Sequence, residues 1–160
     1  MPTDGKTGSI EPKIKVSMLL ADAAQATDGK LYVLGGGWSM IGPEPTPFAI
    51  AVDVKVPWHL ANTKHEFKFE LVDSDGRTVA LPGPDGGEQA VVIDGVLEVG
   101  RPPGLTAGTP LDAVLAINVA GGLPLAPGAR YEWRLMVDGE CHEDWALPFT
   151  VRSAAQAQAA

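Results

Sequence analysis

Residues 48–56 read FAIAVDVKV, and this stretch decides the fold class. Apolar side chains recur at every second position, which is the period of a β-strand that buries one of its faces. The apolar positions are Phe48, Ile50, Val52, Val54 and Val56. The stretch therefore predicts a half-buried β-strand, the most regular one in the chain.

The same alternation appears on both sides of that stretch. It marks residues 14–20, 67–71, 111–119, 131–137 and 145–151. With the shorter apolar runs between them, the pattern predicts about eight or nine strands separated by turn residues, which is typical of an antiparallel β-sandwich. The only helical candidate is a short turn at residues 57–63. We therefore expect an all-β fold.

Paired Asp and Gly residues mark the tightest turns. Asp138-Gly139 lies between two alternating runs and predicts a hairpin, and Asp28-Gly29 lies in the connection after the first strand. Residues 73–76 (DSDG) resemble part of a calcium loop, but the twelfth position of such a loop is Pro84 instead of Glu, so a turn is expected. Asp94-Gly95 is expected to form a bulge or tight turn inside one long strand over residues 90–99.

Length and charge limit the partners. The 160 residues suit one domain, which we place at residues 13–152, with short flexible arms at residues 1–12 and 153–160. A net charge of −8, with 12 scattered basic residues, argues against nucleic-acid and anionic membrane partners.

The first residues lack the apolar region of a signal peptide, and no run is long enough for a transmembrane helix. A cytoplasmic location is expected.

Gly35, Gly36 and Gly37 resemble a phosphate-binding loop only superficially. Dinucleotide sites need spaced glycines between a strand and a helix, and P-loops need Gly-Lys-Ser/Thr. Here Trp38 follows the glycines, so we expect an architectural bend that lets neighbouring chain pack closely. Gly36→Val is accordingly predicted to impair folding.

No recognised catalytic or metal-binding pattern is present. His59, His65 and His142 have no pattern that brings them together, and zinc needs three or four converging ligands. Cys141 and His142 are adjacent on a strand and point to opposite faces, so they do not form a dyad. Cys141 shares its strand parity with Trp145, which predicts a core thiol. We expect no enzyme activity and no cofactor.

The four tryptophans fall into two pairs. Trp133 and Trp145 lie on the inward parity of neighbouring strands and are expected in the core. Trp38 and Trp58 lie near loops, where they either form an exposed aromatic surface or close the ends of the sandwich. The candidate interaction surface consists of Trp38, Trp58, Asp85, Arg101 and Pro103.

The ordered motifs LLADAAQ, DGKLYVLGGGW, PTPF, VPW, LVDSDG, GRPPGL and RYEWRLMVDGE resemble those of a family of bacterial, notably actinobacterial, single-domain proteins described as a domain of unknown function. The resemblance covers residues 14–151 and implies a β-domain without assigned catalytic residues. Similar small β-domains occur among accessory proteins of actinobacterial phages, an analogy of fold alone.

These features predict a non-enzymatic structural or interaction module that docks on a larger protein assembly. A phage capsid accessory or decoration protein, located in the virion, is its most concrete version. Its partners would be protein subunits, with a homo-oligomer among the options. The alternatives are a small-ligand or carbohydrate-binding sandwich that uses the loop tryptophans, and a cytoplasmic bacterial protein with another role.

Overall fold

A computed structural model describes residues 13–155 and confirms the all-β sandwich. The predicted arm at residues 1–12, and residues 156–160 of the predicted tail, lie outside the described part. Eleven strands follow one another: β1 Lys15–Thr27, β2 Lys30–Gly36, β3 Met40–Ile41, β4 Phe48–Val56, β5 His65–Asp73, β6 Ala80–Pro82, β7 Glu88–Ala90, β8 Val92–Leu97, β9 Leu111–Val119, β10 Arg130–Val137 and β11 Glu140–Val151. The short turn expected at residues 57–63 is a 3-10 helix at Trp58–Leu60.

The strands form two layers and one small hairpin. The first sheet has the order β2-β1-β4-β9, the second has the order β3-β11-β10-β5-β8, and β6 pairs with β7. All pairings are antiparallel except that of β3 with β11, which is parallel. No helix among the described residues is long and apolar enough to cross a membrane.

The core lies between the two sheets and centres on β4. Ile50, Val52 and Val54 of β4 are almost fully buried, as the alternation in FAIAVDVKV predicts, but Ala49 and Ala51 are buried too, so the first half of β4 buries both of its faces. Across the layer they meet the inner face of the second sheet, where Trp133 is fully buried and Trp145 almost so. Each fully buried side chain of this size stabilises the fold by about 1.5–3 kcal/mol.

Two hairpins close on Asp-Gly turns. Asp28 and Gly29 have φ of 53° and 69°, and Asp138 and Gly139 have φ of 51° and 76°. Two successive residues with positive φ make the type I′ turn, whose twist matches that of the strands it joins. The hairpin predicted at Asp138-Gly139 is therefore confirmed.

The first strand is longer than its sequence pattern indicates. β1 extends from Lys15 to Thr27, although alternation ends at Leu20 and alanines fill the rest. The strand pairs with β4 as far as Ala21, then continues with β2 alone. Alanine has little β-preference, so strand pairing, not local sequence, holds this segment extended.

The prediction for Asp94-Gly95 is wrong. Both residues lie inside β8, and their pairing with Lys68 and Phe67 of β5 runs without a register shift. Gly95 is needed because a Cβ there would lie 2.6 Å from Cζ of the Phe67 ring. The expected long strand breaks instead between β7 and β8.

The prediction for Cys141 is also wrong, because its thiol is exposed. Arg134 pairs with Ala146 but Met136 pairs with Cys141, so β11 carries extra residues opposite β10. This bulge shifts the register by an odd number and reverses the face on which Cys141 lies relative to Trp145.

Candidate interaction site

The structure brings Trp58 and Arg101 together. The Arg101 guanidinium lies 4.7 Å from the centroid of the Trp58 ring, and its Nη2 donates a 2.8 Å hydrogen bond to the Trp58 carbonyl. Pro103 is exposed two residues further along the same loop, and Asp85 is exposed in the β6–β7 hairpin. One face of the Trp58 ring is thus covered by a cation.

Trp38 lies at the other end of β4. Its ring packs edge-on against Phe48, the first residue of β4, with 6.3 Å between the centroids. Trp58 lies two residues after Val56, the last residue of that strand. Nine residues of strand span about 30 Å at roughly 3.3 Å each, so the two tryptophans do not share a surface. Both rings are half-buried and pack against the core at opposite ends of the sandwich.

An open cleft of about 240 Å³ surrounds Trp38. Five parts of the chain form it: the middle of β1, the β2–β3 connection, β3 itself, the loop before β4 and the residue after β11. The lining residues are Asp22, Trp38, Met40, Ile41, Gly42, Thr46 and Arg152.

The triple glycine shapes one wall of the cleft. A Cβ on Gly36 would lie 2.7 Å from Cδ1 of Leu19, and Gly37 donates a 2.8 Å backbone hydrogen bond to Leu20. A Cβ on Gly35 would overlap the Asp22 carboxylate, and Gly35 has φ of 59°. The glycines therefore let β2 press against β1 and leave room for Asp22 at the edge of the cleft.

Backbone hydrogen bonds fix the opposite wall. The Arg152 backbone N–H donates to the Ile41 carbonyl at 2.9 Å, and its Nη1 donates to the Gly42 carbonyl at 3.3 Å. These bonds tie the end of β11 to the β3 segment. They place a cationic side chain on the wall that faces Asp22.

The cleft holds polar groups that the fold uses only in part. Among residues 13–155, Asp22 and Arg152 form no ion pair, and Arg152 makes one side-chain hydrogen bond, to the Gly42 carbonyl. The Trp38 indole N–H is buried and has no acceptor among residues 13–155. Beneath the indole a small apolar cavity of about 20 Å³ continues toward the core, which is room for about one water molecule.

Exposed apolar side chains border this region. Four large hydrophobic residues of the described chain are strongly exposed, and three of them are Leu34 (70%), Tyr32 (54%) and Met40 (44%). Tyr32 and Leu34 lie on β2, whose end carries the triple glycine, and Met40 lines the cleft. We call Tyr32, Leu34 and the Trp38 cleft together the β2–β3 face; Tyr32 and Leu34 point from the β2 edge to the side of the sheet opposite Asp22.

An ion pair between a buried histidine and a half-exposed aspartate lies at the Trp58 end of the sandwich. His65 is 2% exposed, its Nδ1 lies 2.7 Å from Asp138 Oδ2, and its Nε2 lies 3.0 Å from the Leu60 carbonyl oxygen. Both partners are acceptors, so both ring nitrogens donate and the imidazole is protonated. The other carboxylate oxygen of Asp138 accepts the Glu66 backbone N–H at 2.9 Å.

The pKa values of this pair move apart. Burial lowers the pKa of His65, but the hydrogen bonds to Asp138 and Leu60 outweigh it and raise the pKa above its usual 6.5. Burial alone would raise the pKa of Asp138, but the bonds from His65 and Glu66 lower it below 3.8. With both nitrogens engaged, His65 acts as a structural clamp and has no free lone pair for base catalysis.

Sequence reasoning missed both the clamp and the cleft. His65 and Asp138 are 73 positions apart and share no local pattern. Asp138 was singled out only as a turn residue. Within residues 13–155 no three His, Cys, Asp or Glu side chains group as a metal site would need.

Fold and site together define a small β-sandwich domain with an open, partly apolar cleft beside Trp38. A family model described as "Family of unknown function (DUF6941)" matches residues 16–152, and the chain belongs to this family. A comparison with curated proteins finds no match.

Proposed function

We propose that this domain is a non-enzymatic interaction module that docks on a protein partner through the β2–β3 face. The observation that supports the proposal is that three exposed hydrophobic side chains lie on β2 and β3, next to a cleft lined by two charged side chains and an aromatic ring. Interfaces are built in this way, with apolar anchors at the centre and polar groups around them.

The size of the cleft favours a protein partner over a small molecule. Ligand pockets usually measure roughly 300–1,000 Å³ and enclose most of the ligand. The cleft, at about 240 Å³, is smaller and open. It suits one anchoring side chain of a partner, with Leu34 and Tyr32 making contacts beside it.

Carbohydrate binding by Trp58 is not part of the proposal. A sugar stacks on a free aromatic face, and Arg101 covers one face of this ring while the ring also packs on the core. Trp38, the other candidate, is held edge-on against Phe48.

The most concrete partner is a subunit of a larger assembly, such as a phage capsid on which this chain would be an accessory protein. The small acidic domain and the resemblance to phage accessory β-domains support that version. The module would act in the cytoplasm, or in the virion if it is a capsid accessory.

The test is affinity capture of the tagged full chain from its native cells, followed by quantitative mass spectrometry. Leu34→Asp places a charge in the β2–β3 face, and Val96→Asp is the matched control because Val96 is similarly exposed (57%) on β8. We expect Leu34→Asp to reduce the captured amount of a specific partner at least about tenfold, as the loss of an anchor residue does. Val96→Asp should capture the same amount as the wild type. Equal recovery with both variants would overturn the proposal.

A further inference from the structure

The sandwich has four strands at sheet edges: β2 and β9 in the first sheet, β3 and β8 in the second. An edge strand presents unpaired N–H and C=O groups to other chains. Natural proteins protect such edges with short strands, charges, glycine or proline, and bends. The four edges of this domain differ sharply in that protection.

Three of the edges are protected. β2 contains Lys30, and Gly35 with φ of 59° bends its end. β3 has only two residues. β8 has six residues and contains the consecutive pair Asp94 and Gly95.

β9 is the least protected of the four edges. It spans nine residues, LDAVLAINV, without glycine, proline or lysine. Its only charged side chain, Asp112, binds Lys55 of the neighbouring β4 at 2.5 Å. All nine residues pair with β4 in one register, from Leu111 opposite Val56 to Val119 opposite Phe48.

Within residues 13–155, β9 has a strand neighbour on one side alone. In an antiparallel strand every second residue directs its N–H and C=O away from a given neighbour. Among residues 13–155, β4 is the only strand that pairs with β9. These outward N–H and C=O groups therefore form a long, regular edge on which another strand can pair.

The side chains of β9 that face the core are also incompletely covered. Ala113, Leu115 and Ile117 are half-buried. Their cross-strand neighbours on β4 are Val54, Val52 and Ile50, which are at most 1% exposed. The apolar core is thus uncovered along this side of the sandwich.

We infer that β9 pairs with β9 of a second copy of the chain, antiparallel across a twofold axis, to join two four-stranded sheets into one of eight strands. With Leu115 of both copies on the axis, Ala113 faces Ile117 of the second copy and Leu111 faces Val119. On the outer face, Val114 meets Ala116 of the second copy. Such apolar cross-strand pairs stabilise antiparallel sheets.

Charge permits this pairing. Asp112 faces Asn118 of the second copy, so no like charges lie opposite each other. A twofold interface requires one strand to complement itself in this way. The β9 edge and β2 are the two margins of the first sheet, which curls so that the Asn118 side chain bonds to the Ala24 backbone of β1.

The first test is the mass of the full chain by light scattering after gel filtration over a concentration series. The wild type is expected to reach twice the monomer mass of 16.7 kDa. Val114→Lys places a lysine beside the axis on the outer face, so we expect at least about a tenfold rise in the dimer dissociation constant. Val96→Lys, on the protected β8 edge, should leave the dimer unchanged.

The second test is positional. Leu115→Cys in a Cys141→Ser background should form an intermolecular disulfide on mild oxidation. Residues directly opposite in an antiparallel pair have Cα atoms about 4.5–5.5 Å apart, within disulfide range. Val96→Cys in the same background is the control and should stay monomeric on a non-reducing gel. A monomeric wild type at every concentration, a dimer insensitive to Val114→Lys, or cross-linking by Val96→Cys but not Leu115→Cys would overturn the inference.

Discussion

The two ends of β4 are built differently. At the Trp58 end, His65, Asp138 and Arg101 all have their polar groups engaged by hydrogen bonds. At the Trp38 end, the indole N–H has no acceptor among residues 13–155, and in the same range the charged side chains that line the cleft form no ion pair. The bonded end contributes to stability, whereas the end with a buried unpaired N–H and exposed apolar side chains has groups left for a partner.

The largest expected effect of a single change is at the Trp58 end. Asp138→Ala leaves the protonated His65 buried without its counter-ion, and it also removes the acceptor for Glu66 N–H. We expect a loss of about 3 kcal/mol in unfolding free energy, the low end for breaking a buried ion pair, because Asp138 is itself half-exposed. Urea denaturation measures it. Asp85→Ala, in an exposed hairpin, is the control and should change stability by less than about 0.5 kcal/mol.

The same pair predicts a pH dependence. The raised pKa of His65 means that its contribution is complete below pH 6.5 and is lost as pH rises through the folded-state pKa. The lowered pKa of Asp138 means that its contribution is present above pH 3.8 and is lost as pH falls through the folded-state pKa. The unfolding free energy should therefore decline on the alkaline side of pH 6.5.

Asp138→Asn isolates that effect. It keeps a side chain that tolerates the positive φ of the turn but removes the negative charge. The alkaline decline should become shallower in urea titrations at several pH values. If the unfolding free energy of this variant depends on pH as that of the wild type does, the His65–Asp138 pair is not the cause of the alkaline decline.

Gly36→Val tests the wall of the cleft. The new side chain would meet Leu19 Cδ1 at 2.7 Å and Val33 Cγ1 at 2.8 Å, so we expect a loss of about 1–3 kcal/mol from overpacking. Gly87→Val is the matched control because nothing lies within 4 Å of its Cβ position. A Gly36→Val protein of normal stability that no longer binds its partner would mean that the glycine acts in recognition instead of packing.

The smallest stability effect is expected for Arg101→Ala. It removes a cation–π contact and two hydrogen bonds to the Trp58 carbonyl, all near the surface. We expect a loss of about 1 kcal/mol. Thermal unfolding of Arg101→Ala would measure this loss. Arg77→Ala is the control, because it removes an exposed cation without the contact to Trp58. A loss no larger than that of Arg77→Ala would mean that the contact is not stabilising.

The two-residue apolar period predicted most of the long strands, because each of these strands directs one face toward the core. FAIAVDVKV became β4, and Asp138-Gly139 became the turn of a hairpin. The alanine-rich half of β1 could not be predicted, because its extended form depends on pairing with β2. The prediction that Cys141 is a core thiol was wrong because a bulge in β11 reverses the face of the strand, and the sequence carries no local sign of that bulge.

The site was predictable only in part. Trp38 was singled out from its place beside the glycines, but the cleft also needs Asp22, Met40 and Arg152, which are distant in sequence. Trp58 and Arg101 were named for one surface with Trp38, yet β4 separates them from it. Which residues share a site depends on strand order, and local patterns do not encode strand order.

The most direct test of this contrast compares Leu34→Asp and Asp138→Ala in the same two assays, urea unfolding and capture of the native partner at low temperature near pH 6. The account predicts that Leu34→Asp keeps its unfolding free energy within about 0.5 kcal/mol and loses the partner. Asp138→Ala should lose stability and keep the partner while folded. The reverse pattern, with the partner lost from folded Asp138→Ala and retained by Leu34→Asp, would contradict the account.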